Sequence, residues 1–315
     1  MKKVLFAVLA LAAVACNKAE IVEQTPANAI AFESVFVDNA TKSVSDPSYA
    51  NDNLFSDFAV YGFVQGATLF DGKPVTGSGI NGTWTYTGTQ YWIDGAKYNF
   101  AAVAPFSNKN WNTTNFGIGE TNLYFTNNGT QDVLYAQSAE ITGAASGNSK
   151  VGFTFRHILS KVKFSFENKY LADDTKIQVR NIKINNAYKT GNVTLTSGTP
   201  VWKDQAGTLE LKFGNAASAF DANEPIAHNA TAESYNELLL IPGAVEGGYK
   251  VTFTYDILVG EGETKVKEFT KTATVNFTPE AGHAYDFKAT ITPGELIEFT
   301  VTPITGWTTE TEGTM

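Results

Sequence analysis

From Ile30 to Val301 the chain repeats one local pattern: a short run rich in Phe, Tyr, Val and Ile, followed by a cluster of Gly, Asn, Asp or Thr. No window long enough for a helix carries a sustained 3.6-residue apolar period, and Asn215 to Phe220 has room for a single helical turn. Many short strands separated by turn residues close on themselves as a sandwich or barrel, so the pattern predicts an all-β protein. Aromatic residues are 13% of the chain, with 22 Phe and 13 Tyr, a balance suited to pleated, half-buried surfaces.

The strand signals fall into two series. In the first, Ile30, Phe32 and Phe36 alternate with smaller or polar residues, and Phe58 to Val64 is a short apolar run. Trp84 to Tyr86 and Tyr91 to Ile93 flank Thr87-Gly88-Thr89, which reads as a hairpin. Tyr98 to Val103, Leu123 to Phe125 and Val133 to Tyr135 follow. The second series runs from Val151 through Phe166, Ile177 to Ile184, Leu209 to Phe213 and Leu238 to Ile241. Val251 to Leu258, Val266 to Phe277, Tyr285 to Ile291 and Ile297 to Val301 complete it. A length of 315 residues suits two sandwiches, and the small polar stretch Thr142 to Lys150 is the expected seam. The expected division is 30–148 for an N-terminal sandwich and 149–315 for a C-terminal one.

The first residues stand apart. Lys2 and Lys3 precede the apolar stretch Val4 to Val14, which is too short for a stable membrane span. It runs into Ala13-Val14-Ala15-Cys16, and Cys16 is the only cysteine. The favoured reading is a lipoprotein signal peptide over 1–15, with Cys16 acylated, by palmitate among other chains, and a tether over 16–29. The plain alternative is an ordinary secretory leader with a chance cysteine after the cut. Ala13 occupies a position where Leu is commonest in such leaders. Stable attachment needs more than one acyl chain. A disulfide is excluded for want of a partner.

The formal charge is -9, and loss of Lys2 and Lys3 with the leader lowers it by two. Nucleic acid is therefore an unsuitable partner, since phosphate binding needs clustered cations. No nucleophile elbow, phosphate loop, zincin helix or dinucleotide fingerprint occurs, so neither an enzyme nor a cofactor is expected. His157, His228 and His283 are too scattered for a zinc site, and His157 within an alternating strand reads as structural. Asp173-Asp174 and Asp221 with Glu224 read as solvated turns rather than calcium loops. Trp84, Tyr86, Tyr91, Trp92 and Trp111 form an aromatic cluster; packing in a core is favoured over a platform for sugar rings.

Five segments carry a family resemblance. FRHILSKVKFSFEN from Phe155, DVLYAQS from Asp132, YWIDGAKYNFAAVAPF from Tyr91, LLLIPG from Leu238 and the ending from Gly282 to Trp307 resemble the Mfa-like fimbrillins of Bacteroidales. The resemblance implies two transthyretin-like β-sandwich domains, export as an outer-membrane lipoprotein to the cell surface, and assembly into a fimbrium that mediates cell adhesion. It implies other fimbrial subunits as partners through β-strand addition, besides the membrane through acylated Cys16. In that family a protease trims the first strand and a neighbour's C-terminal strand fills the groove. The corresponding loop here reads Asn39-Ala40-Thr41-Lys42-Ser43, with Lys42 where the family carries Arg, so Lys42 and Ser43 flank the expected cut. An untrimmed member would suit an anchor or accessory role better than a stalk. Ile297, Phe299 and Val301 line one face of the candidate donor strand, which equally reads as an ordinary last strand. The alternative function is a non-polymerising surface lipoprotein that binds glycans or host ligands.

Overall fold

The computed structural model describes residues 28–38, 55–77, 83–148, 150–213, 224–234, 236–294 and 297–304. Every regular element among them is a strand. The first sheet has the order β1 (Phe32–Asp38), β9 (Val151–His157), β7 (Leu134–Gln137), β4 (Lys97–Ala104), β2 (Asp57–Val64) and β3 (Ala67–Thr76). The short β8 (Ile141–Thr142) pairs with β4.

This sheet is covered on both faces, which explains why β2 and β4 read as unbroken apolar runs rather than as alternation. Phe58, Val60, Tyr98, Phe100 and Phe153 enter one core. Ala59, Tyr61, Ala101, Val103 and Tyr135 enter another, on the opposite face. Across the second face lie β5 (Trp111–Gly117) and β6 (Glu120–Thr126), which contribute Trp111, Leu123 and Phe125 to that core.

β5 and β6 belong to a sheet shared by both halves of the molecule, ordered β16 (Thr264–Val275), β15 (Tyr249–Val259), β11 (Thr175–Leu195), β6 and β5. β12 (Val201–Phe213) also pairs with β11. β11 makes the sharing work. Its 21 residues are enough to reach about 70 Å at the usual strand rise. Its first part pairs with β15, while Thr190 to Leu195 pair with β6. Register shifts at Arg180/Lys183, Ile184/Ala187 and Thr190/Asn192 break its ladders, as bulges do where a strand bends.

The third sheet, β13 (Thr231–Glu233), β10 (Ser160–Asn168), β17 (Ala284–Ile291) and β18 (Phe299–Ile304), faces the β11–β15 end of the shared sheet. β14 (Leu238–Leu240) extends the β13 side of β10. Val162, Phe164, Phe166, Phe253 and Phe287 sit in the core between them. Burial of several such rings, roughly 1.5–3 kcal/mol each, is the main force holding the sheets together.

Two expectations need correction. β9 pairs with β1 and β7, so the first sheet continues past the expected seam at 142–150. The chain changes sheets through a two-residue connection, Ile158 and Leu159, both fully buried. Trp84–Tyr86 and Tyr91–Ile93 do not form a hairpin. Thr85 bridges Thr76, Trp84 bridges Phe32, and Tyr91 bridges Ala29.

Candidate functional site

The seam around β1 brings together most of what a strand-exchange site needs. On one side β1 runs parallel to β9, from Phe32 opposite Val151 to Asp38 opposite Arg156. On the other side it meets the 84–92 segment through isolated bridges. There Ile30 N donates to Gln90 O at 2.8 Å and Trp92 N to Asn28 O at 2.9 Å. The 84–92 segment in turn reaches β3, where Thr76 N donates to Thr85 O at 2.9 Å. The first sheet is thus drawn round toward a closed barrel, and residues 29–38 are the stave that closes it.

Phe32 is the key of that closure. It is 1% exposed. Its ring touches Phe58, Phe70, Tyr86, Phe100 and Phe153, with centroids 5.6–6.2 Å apart. The Tyr86 hydroxyl donates to Ile30 O at 2.8 Å, and burial pushes its pKa up. The Lys150–Glu33 pair at 3.4 Å lies at the surface, where such pairs contribute little.

The C-terminal candidate strand lies at home. β18 pairs antiparallel with β17, from Phe299 opposite Ala289 to Ile304 opposite Ala284. Ile297 is buried, Phe299 and Val301 pack against the C-terminal core, and Thr300 and Thr302 face solvent. Phe299 meets Phe164, Phe166 and Phe253 edge-on at 5.6, 5.9 and 5.8 Å. Among the described residues β18 has no second neighbour, so it is an edge strand.

Cys16, Lys42, Ser43, Asp221 and the 215–220 turn lie outside the described residues. The aromatic cluster is dispersed: Trp84 and Trp92 enter the core beneath β1, whereas Trp111 enters the core on the other face. Of the five, only Tyr91 is exposed. Trp111 Nε1 donates to Pro105 O at 3.0 Å. His157 is buried against the carboxylate of Asp132, a structural pairing. His228 pairs with Asp173 at 3.4 Å. Among the described residues no three His, Cys, Asp or Glu are grouped to hold a metal, and no helix is long and apolar enough to cross a membrane.

The segments that carried the resemblance converge. Leu134 of the DVLYAQS segment pairs with His157, and β14 from LLLIPG flanks β10 at Ser160–Val162. β17, from the ending after Gly282, runs parallel on the other side of β10. Lys161 and Lys163, nearly buried, place their ammonium groups 2.6 Å from Glu237 and Glu233. The model of the fimbrillin-like family matches residues 41–307. The chain belongs to the fimbrillin-like family.

For this fimbrillin-like chain, membership supports a fimbrial or adhesive role at the cell surface, with other fimbrial subunits as partners, in a family that is structural rather than enzymatic. A fimbrial protein from Bacteroides vulgatus shares the fold with a TM-score of 0.60 at 18% identity, covering 89% of this chain and 100% of the other. A candidate cell adhesion protein from Bacteroides uniformis aligns at 0.49 and 20% identity over 90% of this chain and all of its own. The fimbrial anchor protein Mfa2 from Porphyromonas gingivalis aligns at 0.34 and 11% identity over 86% of this chain and 96% of its own. No curated protein sequence gives a significant match. In the fimbrillin-like chain β1 lies ahead of the family match, which begins at residue 41.

Proposed function

We propose that this protein is a fimbrial subunit, exported as an outer-membrane lipoprotein through Cys16 and assembled by exchange of its first strand. The observation that carries the reading is the setting of Phe32: five aromatic rings surround a side chain whose strand has one continuous neighbour. Cleavage between Lys42 and Ser43 would let β1 leave. An aromatic groove and the unpaired edge of β9 would then be exposed, the two features that invite strand addition. The donor would be β18 of a neighbour, with Ile297, Phe299 and Val301 as its apolar face. Its edge position supports this role, because among the described residues β18 pairs with β17 alone. Release also uncovers Ile297 and Phe299, so assembly must recover that burial in the new groove.

The glycan-binding alternative draws no support from the aromatic cluster, whose three tryptophans are buried. The test is limited trypsin treatment followed by size-exclusion chromatography and electron microscopy. Trimmed protein is expected to form fibres that intact protein does not. Trimmed protein that stays monomeric at high concentration would count against polymerisation.

A further inference from the structure

A groove of about 550 Å³ opens at the end of the C-terminal sandwich, lined by Pro200, Trp202, Pro242, Pro279, Ala281 and His283 among others. Its lining is mostly apolar, and several of its polar groups are already engaged. Trp202 Nε1 donates to Ile158 O at 3.0 Å, and Gln205 Nε2 donates to Pro242 O at 3.1 Å. Glu280 O accepts from Ser160 Oγ at 2.6 Å, and His283 O from Lys161 N at 2.9 Å. Such a groove suits a flat apolar side chain better than a polar ligand.

The end of β18 points to the occupant. Ile304, its last residue, is paired with Ala284, which follows His283 of the groove wall directly. Residues 280–283 form a turn closed by His283 N donating to Glu280 O at 3.3 Å. β17 begins at Ala284, so the described ladder of β18 ends beside this turn. The next residues are Thr305, Gly306 and Trp307. Three residues span at most about 10 Å, and Gly306 offers wide freedom of direction. Trp307 is the first large apolar side chain past the sheet.

We propose that Trp307 docks in this groove of its own subunit and latches the end of β18 in place. An indole there would stack among Pro200, Pro242 and Pro279, and withdrawing β18 would require pulling it out. The docking stands independently of polymerisation; only its consequence, that the latch restrains a donor strand, rests on the fimbrial assembly proposed above.

The test is tryptophan fluorescence of the full chain, taken as the difference between wild type and Trp307→Phe, with a peptide of residues 303–315 as the exposed reference. The expected result is a blue-shifted difference emission, quenched by acrylamide several-fold less than the peptide. Ala281→Arg, which fills the groove, should return that emission to the peptide's. Should Ala281→Arg lose its cooperative melt, Val201→Arg, on an exposed residue of the same wall, replaces it. Emission like the peptide's in wild type would overturn the proposal, as would protection that persists with the groove filled. Amide exchange in β18 should quicken in Trp307→Ala; unchanged exchange would remove the latch. Protected Trp307 in a protein that never polymerises after trimming would leave the docking intact and remove the donor role.

Discussion

The ring of Phe32 lies nearly parallel to that of Phe153, at 18° and 5.8 Å between centroids, across the parallel pairing of β1 with β9. These residues are far apart in sequence, so the contact forms only once the first sheet has assembled. Phe32→Ala would leave a cavity among five rings that are themselves fixed by other strands. The expected loss is about 3–5 kcal/mol, read from urea unfolding with an unchanged m-value. A loss well under 1 kcal/mol would mean that β1 does not close the core in solution.

Trp92 offers a second probe of the same core. It meets Tyr98 edge-on at 4.7 Å and Phe100 at 6.0 Å, and its buried Nε1 has no hydrogen-bond partner. Trp92→Ala should therefore lower stability by about 3 kcal/mol or more. Trp92→Phe should cost much less, since it retains a ring and removes the unpaired N–H. An unchanged melting temperature together with lost glycan binding would restore the platform reading.

The strand pattern and the alternation of Ile297, Phe299 and Val301 were legible in sequence, because each is a local property of period two. What was not legible is long-range. β11 shows apolar alternation only to Ile184; Asn185 and Asn186 then interrupt it, and the strand continues through bulges to Leu195. β12 is exposed along most of its length, and its middle, from Lys203 to Thr208, carries no apolar alternation. Nothing local to Phe32 says that its partner is Val151, nor that Trp84 will bridge to β1 rather than across a hairpin. Lys161 and Lys163 look solvated in sequence, yet both are nearly buried beneath their pairing with Glu237 and Glu233.

Asp286 gives a pH-dependent prediction. Burial pushes its carboxyl above the ordinary range, partly offset by the bond it accepts from Ser165 Oγ at 2.6 Å and by Lys163 and Lys288. A carboxyl whose pKa rises on folding contributes stability in acid that is lost as pH climbs through the raised value. Asp286→Asn should thus melt higher than wild type at neutral pH and lose that advantage in acid. A pH-independent difference would assign the effect to packing instead.

Cys16 is tested by fractionation. Cys16→Ala should move the protein from the membrane fraction to the soluble one, because the apolar stretch Val4 to Val14 is too short to anchor it. Continued partition into detergent would reject the lipoprotein leader.

The final prediction separates a retained from a donated β18. Phe299→Asp would set a carboxylate against Phe164, Phe166 and Phe253, and should destabilise the monomer by about 3 kcal/mol or more. Thr300→Asp, on the solvent face, should stay within about 0.5 kcal/mol. That contrast tests whether the strand is at home, but a donor would use the same apolar face, so it cannot decide exchange. A staple can. Lys288 and Thr300 are directly opposite on β17 and β18, where facing Cβ atoms lie about 4.5–5.5 Å apart, near the reach of a disulfide. In a Cys16→Ala background, Lys288→Cys with Thr300→Cys should lock β18 to its own sandwich when oxidised. After trimming, the oxidised protein should remain monomeric, and reduction should release assembly. Fibres formed equally well by the oxidised form would mean that the donor is another segment and that β18 never leaves.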